Sequence, residues 1–315
     1  MRAVIVNEYG STPVVAEVPT PQPKAGQVQI RLSAAGMNPM DSVLASGDWR
    51  PMPAVFPMVL GADGAGVVER IGEGATRFAV GDNVFGQLLI APLGSAGTYA
   101  EYVAVTEDAP LALVPHGLDL VVAAALPTAG MAGLSLVADV LGPLTGKTML
   151  IVGAGGGVGT FATQFAVNAG ARVVANVRKA AAVRMRGYGA AETVDHTAMP
   201  LTDAVRRAHP DGIDVLLDLV SDGDAFAKLA ALVRSGGMAV TTRYVADIAA
   251  LEALDITGIN FALQPSGKML DRLADALVTG KIAAPPITRI SLDEAPAILS
   301  GADDRPIEGK IIVTL

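Results

Sequence analysis

Over the first hundred residues the apolar positions come in short β-branched runs broken by Gly and Pro. Val28–Leu32, Gly66–Ile71, Asn83–Phe85 and Tyr99–Val105 each read as a strand between turns, and short strands at this spacing suggest a partly closed antiparallel barrel. The opening stretch MRAVIVNEYG reads as a strand and not as a signal peptide, because no apolar h-region follows its basic residue. Near residue 120 the pattern changes. Thr148–Val152 is an apolar run that ends in glycines, Gly159–Ala169 has a helical pattern with few charges, and Arg172–Val177 is a second strand. Helices over Ala180–Tyr188, Asp203–Ala208 and Ala225–Val233 then alternate with strands at Glu192–Val194, Ile213–Leu219 and Gly237–Thr241. This alternation predicts an α/β fold, a doubly wound parallel sheet with helices on both faces. The unbroken apolar runs Met149–Val152 and Val215–Leu217 fit strands buried on both sides. A last helix, Ser266–Val278, stops before Gly280, and a strand, Lys310–Thr314, ends the pattern.

Leu120–Ala138 carries no charge over a membrane-spanning length. It holds Pro127, Gly130 and Gly133 and leads into the α/β pattern, so one or two buried helices are expected there and no membrane span. A cytoplasmic location follows as an expectation.

Composition narrows the choices. The 315 residues suggest two domains. The net charge of −8 and the lack of a Lys/Arg cluster argue against nucleic acid as a partner. There is no cysteine, which removes disulfides, thiolate nucleophiles and cysteine-ligated metals. His116, His196 and His209 are too far apart to show metal-ligand spacing.

The turn after Thr148–Val152 reads Gly153-Ala154-Gly155-Gly156-Gly157-Val158-Gly159. A buried strand enters it and a helix leaves it, the context in which glycines hold a dinucleotide pyrophosphate at a helix N-terminus. Gly153, Gly156, Gly157, Val158 and Gly159 are therefore candidate cofactor contacts. The next strand ends Ala175-Asn176-Val177-Arg178-Lys179, with no acid until Glu192. An NAD site usually places an acid here for the ribose hydroxyls. Asn176 followed by Arg178 and Lys179 suits a 2′-phosphate instead, so the expected cofactor is NADP.

Taken together, these segments resemble the medium-chain dehydrogenase/reductase superfamily, in its quinone oxidoreductase branch. The resemblance rests on Ala35-Gly36-Met37-Asn38-Pro39-Met40-Asp41, on Gly61–Val68, Val80–Val84 and Gly97–Tyr102, and on Gly156–Gly159 and Gly309–Val313, all in the family's order. It implies a Rossmann-type nucleotide domain over 120–259 and a GroES-like, partly open barrel over 1–119 to which 260–315 returns. The substrate would lie in the cleft between them. The family's zinc-dependent members hold their metal with a Cys where Asn38 stands and a His where Ala62 stands, and carry a structural zinc lobe between Phe85 and Gly97. None of these ligands is present, so a zinc-independent site is expected.

What the resemblance implies is hydride transfer from NADPH to a small-molecule electron acceptor, a quinone or conjugated enone, by a homodimer. Asn38 is the candidate donor to the acceptor's carbonyl oxygen, and Asp41 the residue that fixes its loop. Tyr9 and Trp49 are candidate acceptor contacts. His196, Val220 and Arg305 are further candidate cofactor contacts by position, and Thr128 is a candidate near the nicotinamide. The family often has Tyr and Arg after Asp41 where this chain has Val43 and Ala45. An enoyl-thioester reductase and a non-catalytic nucleotide-binding protein are the two alternative readings.

Overall fold

The computed structural model describes residues 1–303 and 309–315. Arg305 lies outside the described residues. The chain divides into two compact units. The first comprises Met1–Met131, Pro265–Gly280 and Ala284–Leu315, and the second Ala132–Gln264 with Lys281–Ala283.

The first unit holds β1 (Arg2–Val6), β2 (Val14–Glu17), β3 (Gln27–Gly36), α1 (Pro39–Ser46), β4 (Met58–Val59), β5 (Asp63–Ile71), β6 (Asn83–Gln87), β7 (Tyr102–Thr106), β8 (Leu111–Leu113) and α2 (Leu120–Ala124). α3 (Pro127–Ser135) follows. The second unit holds β9 (Thr148–Val152), α4 (Gly157–Asn168), β10 (Arg172–Asn176), α5 (Lys179–Gly187), β11 (Glu192–Val194), α6 (Leu201–Ala208), β12 (Ile213–Asp218), α7 (Gly223–Ala230), β13 (Val233–Thr241), α8 (Ile248–Glu252) and β14 (Thr257–Asn260). α9 (Gly267–Val278), β15 (Ile287–Ser291), α10 (Ala295–Leu299) and β16 (Lys310–Thr314) belong to the first unit again.

In the first unit a seven-stranded mixed sheet runs β15-β16-β3-β5-β6-β8, with β7 also paired to β3. Its pairings are antiparallel except β15 with β16. A three-stranded sheet, β2-β1-β4, accompanies it. β3 is the longest strand of the seven-stranded sheet, and its residues Val28, Ile30 and Leu32 enter one core cluster with Val103 and Leu111. α9 begins at Ser266, whose side chain accepts from the Met269 N–H at 3.3 Å, and buries Leu270, Leu273 and Ala274.

The second unit is a six-stranded parallel sheet in the order β11-β10-β9-β12-β13-β14. Along β9 the side chains alternate faces, as a pleated strand requires. Met149 and Ile151 pack with Ala162 and Ala166 of α4 and Met185 of α5. Leu150 and Val152 pack with Val205 of α6 and Phe226 and Leu229 of α7. Both faces are thus covered, which is why the run carries no polar residue. This sheet, with the separate mixed sheet, bears out the expected fold class.

Several boundaries moved, most of all between α7 and β13. α7 ends at Ala230 and β13 begins at Val233, so the helix expected to reach Val233 is shorter and the strand longer; Val233 pairs with Ile213 ahead of a register shift. The uncharged stretch near residue 120 is two short helices and a π-helical turn, Leu136–Val140. No helix of the described residues is long and apolar enough to cross a membrane.

Candidate active site

β9 delivers the chain into the glycine turn. Gly153 has φ +81°, the left-handed region that an L side chain rarely adopts. A Cβ on Gly159 would stand 2.4 Å from the Gly153 carbonyl oxygen and 2.5 Å from the Ala154 Cα, so α4 starts pressed against the turn only because Gly159 has no side chain. The N-cap is Gly156, and no side chain caps the helix. The N–H groups of its first turn, including Gly157, Val158 and Gly159, thus lack a side-chain acceptor. Together with the helix dipole they could hold an anion. Val220 borders the same turn, since a Gly153 Cβ would lie 2.8 Å from its Cγ1. Asp218, at the end of β12, holds Val220 in place by accepting from its N–H (3.0 Å) and that of Ser221 (2.9 Å).

At the end of β10, the buried Asn176 donates from Nδ2 to the Val194 carbonyl and lies 3.2 Å from His196 Nδ1. Arg178 is the N-cap of α5, and Arg178, Lys179 and His196 are exposed. The structure therefore gathers these predicted residues at one strand end. Two neighbours went unremarked in the sequence. Asp195 accepts from the Lys179 backbone N–H at 3.0 Å, and hydrogen bonds from the Thr197 hydroxyl and N–H hold its carboxyl below the usual range. Arg184 reaches back from α5 to Thr160 Oγ1 (3.3 Å) and to the Gly155 carbonyl (3.4 Å).

Asn38, Asp41 and Thr128 belong to a buried polar network in the first unit. Asn38 caps α1, where Asp41 Oδ2 accepts from its backbone N–H at 2.7 Å. The Asn38 carboxamide lies between opposite charges. Its oxygen accepts from Lys310 Nζ at 2.7 Å, and its Nδ2 donates to Asp63 Oδ2 at 2.9 Å and to the Gly36 carbonyl at 3.4 Å. Asp63 also takes the Thr128 hydroxyl (2.6 Å) and the Thr128 N–H (3.0 Å), and Thr128 Oγ1 accepts from Gln87 Nε2 at 2.7 Å. Thr128 and Asn38 are thereby joined through one carboxylate. Lys310 completes the set with a bond to the Met37 carbonyl and a distance of 3.9 Å to Asp63.

Burial sets the charge states. It pushes the Asp63 carboxyl up and the Lys310 ammonium down, and each opposes the other's shift. Asp41 has no such counter-ion in contact. Burial pushes it up to about 7, against the hydrogen bonds from Tyr99 and from the Asn38 backbone. Its other oxygen, Oδ1, is buried without a partner. Tyr99, donating to Asp41, is held well above the usual phenol range by its own burial and by that carboxylate.

In the sequence Asp63 and Lys310 stand out only as members of the segments Gly61–Val68 and Gly309–Val313. The available signal was a single charge set in an apolar stretch, Gly61–Val68 and Lys310–Leu315. A buried charge needs a partner.

Tyr9, in the turn after β1, lies against the C-terminal end of α1, and Trp49 follows that end in the chain. Tyr9 meets Phe56 edge-on, with centroids 5.0 Å apart, and Arg50 stacks on its ring at 4.2 Å. Trp49 follows Gly47, the C-cap residue of α1. Among the described residues no group of three or more His, Cys, Asp or Glu side chains is placed to hold a metal ion.

Residues 24–116 match the family model of the alcohol dehydrogenase GroES-like domain, and residues 157–267 that of the zinc-binding dehydrogenases. The chain is 30% identical over 326 residues to the 2-methylene-furan-3-one reductase of Solanum lycopersicum, covering 99% of this chain and 79% of the relative. It is 30% identical over 291 residues to the chloroplastic NADPH-dependent alkenal/one oxidoreductase of Arabidopsis thaliana, covering 90% of this chain and 70% of that one. Its fold is similar to the solved quinone oxidoreductase of Pseudomonas syringae pv. Tomato DC3000, with a TM-score of 0.87, 26% identity, and 100% and 99% of the two chains covered. From the glycine turn, the two sheets and these matches, the chain belongs to the medium-chain dehydrogenase/reductase superfamily, in its quinone oxidoreductase-like branch.

Proposed function

We propose that this protein is an NADPH-dependent oxidoreductase that reduces a quinone or a conjugated enone without a metal ion. The observation that carries the reading is the uncapped N-terminus of α4 beside a strand end that offers Asn176, Arg178 and Lys179 in place of an acid. The donor set fits a phosphorylated dinucleotide. Gly153, Gly156, Gly157, Val158 and Gly159 leave room for the pyrophosphate against free N–H groups. Arg178 and Lys179 supply charge for the 2′-phosphate, with Asn176 and His196 at its edge. Val220 borders the turn. When bound, NADPH supplies a hydride, which with one proton from water completes the two-electron reduction of the acceptor.

The chain's own part is binding and positioning. Asn38 and Asp41 hold the loop before α1, and Lys310 and Asp63 fix the sense of the Asn38 carboxamide. One Asn38 N–H makes only the long contact to Gly36 (3.4 Å), so it is the donor available to an acceptor oxygen. That oxygen gains electron density during reduction and is stabilised by such a donor. Thr128 is fixed by Asp63 in the same network. The metal-free reading is supported by the same residues. A carboxamide whose oxygen is taken by an ammonium has little to offer a cation, and Ala62 is a buried methyl group. The relatives named above support the acceptor class. The reading extends to a cytoplasmic homodimer formed through β14, the edge strand of the parallel sheet.

The test is NADPH oxidation over a panel of small quinones, conjugated enones and enoyl thioesters. Turnover of the first two classes is expected. Turnover of thioesters alone indicates an enoyl-thioester reductase, and none with any class indicates a nucleotide-binding protein.

A further inference from the structure

The segment after α1 sets an arginine on an aromatic surface. The Arg50 guanidinium lies 4.2 Å from the centre of the Tyr9 ring, and its Nε donates to the Gly47 carbonyl at 3.0 Å. Tyr9 is itself fixed. A Cβ on Gly47 would stand 2.8 Å from its ring carbons, and the Gly10 N–H donates to the Ala45 carbonyl at 2.9 Å. Phe56 packs edge-on against the same ring. Trp49 and Phe56 are 46% and 40% exposed, and Arg50 is exposed as well.

No carboxylate pairs with Arg50 among the described residues. The nearest acid in the chain, Asp48, accepts instead from the Ser46 hydroxyl at 2.7 Å. Arg50 thus has its face and its Nε engaged, while its two terminal amino groups remain as a preorganised fork of donors. That geometry matches a carboxylate or sulfonate, and the flat rings beside it match an aryl group. A cation already immobilised loses little further entropy on binding.

We propose that Arg50, stacked on Tyr9 beside Phe56 and Trp49, binds the anionic substituent of an aryl acceptor. The preferred acceptors are then conjugated carbonyl compounds that carry a carboxylate or sulfonate. Asn38 and Gly47 stand at opposite ends of α1, about 12 Å apart for an eight-residue helix. The anion therefore belongs on the far side of the aryl ring and not on the reacting alkene. This substrate class rests on the reductase reading, but the binding it describes does not depend on turnover.

Trp49 is the single tryptophan of the chain, so its fluorescence reports on this surface. The probes are benzylideneacetone bearing a para-carboxylate, the methyl ester of that acid, and the saturated product of the acid. In the wild-type protein the saturated carboxylate should change the Trp49 emission saturably. With NADPH, the carboxylate enone should show a lower KM than the ester. Arg50→Gln should abolish the fluorescence response and raise the carboxylate KM about ten-fold relative to that of the ester. Equal KM for acid and ester in the wild type, or a response that survives Arg50→Gln, overturns the proposal. A saturable, Arg50-dependent response with no turnover of any acceptor upholds the anion site and overturns the reductase reading.

Discussion

Asp41 lies buried with Oδ2 accepting from Tyr99 and Asn38 and with Oδ1 unpaired. Its carboxyl loses a proton near pH 4 in the unfolded chain and, pushed up by burial, at about 7 in the folded one. The folded state keeps a proton that the unfolded state releases, so this contribution is complete below about pH 4 and lost as the pH rises through 7. Asp41→Asn removes the titration. Between pH 4 and 7 the wild type should lose stability relative to this variant by up to about 1.4 kcal/mol per pH unit. Parallel pH profiles in denaturant unfolding would refute it. Lys310 and Asp63 allow a second test. Lys310→Met leaves a buried carboxylate unpaired and should cost about 3–5 kcal/mol, part of which Asp63→Asn on the same chain should restore; simply additive losses would deny the coupling. At the cofactor turn, replacing Arg178 and Lys179 with Ala should weaken NADPH binding about ten-fold or more and leave NADH binding unchanged. An equal loss for both cofactors in a fluorescence titration would remove the 2′-phosphate role. At this scale the sequence was legible only where partners are neighbours. Asn38 and Asp41 stand three residues apart, whereas Lys310 is 272 residues from Asn38, and no local pattern joins such a pair.

Some elements built from local pattern have the bounds expected of them. β9, β11 and β16 span the residues expected of them. The glycine turn was readable for the same reason, since strand, glycines and helix are contiguous. α1 was missed although its start is written in Asn38-Pro39-Met40-Asp41, a cap residue, a proline in the first turn and an acid at the third position. β14 was missed because four residues on a sheet edge carry little periodicity. The turn itself makes a prediction about packing. Gly159→Ala places a methyl 2.4 Å from a backbone oxygen, which cannot rotate away, so α4 must shift. A loss of about 1–3 kcal/mol is expected, together with weaker NADPH binding. Gly155→Ala, whose nearest contact is a Val177 methyl at 3.4 Å, should leave the melting temperature nearly unchanged. Similar melting temperatures for the two variants would contradict the close approach.

For the whole molecule, the composition excluded more than it identified. A chain with no cysteine and a net charge of −8 is poorly suited to thiolate metal sites and to nucleic acid. The parallel sheet was legible as an alternation of strand and helix, but the pairing of β16 with β3 was not, because it joins Ile312 to Gly36. That long-range pairing brings Lys310 to Asn38. Function was legible as cofactor class from the end of β10, and as acceptor class only through the family resemblance. The proposal of an anionic acceptor rests instead on the packing of Arg50 on Tyr9. The central claim is reduction by NADPH without a metal. Its most direct test is the rate of NADPH oxidation with a simple para-quinone after exhaustive chelation, with the residual metal content measured. An undiminished rate, higher with NADPH than with NADH, is predicted. A rate that falls with the metal and returns on adding zinc would contradict it.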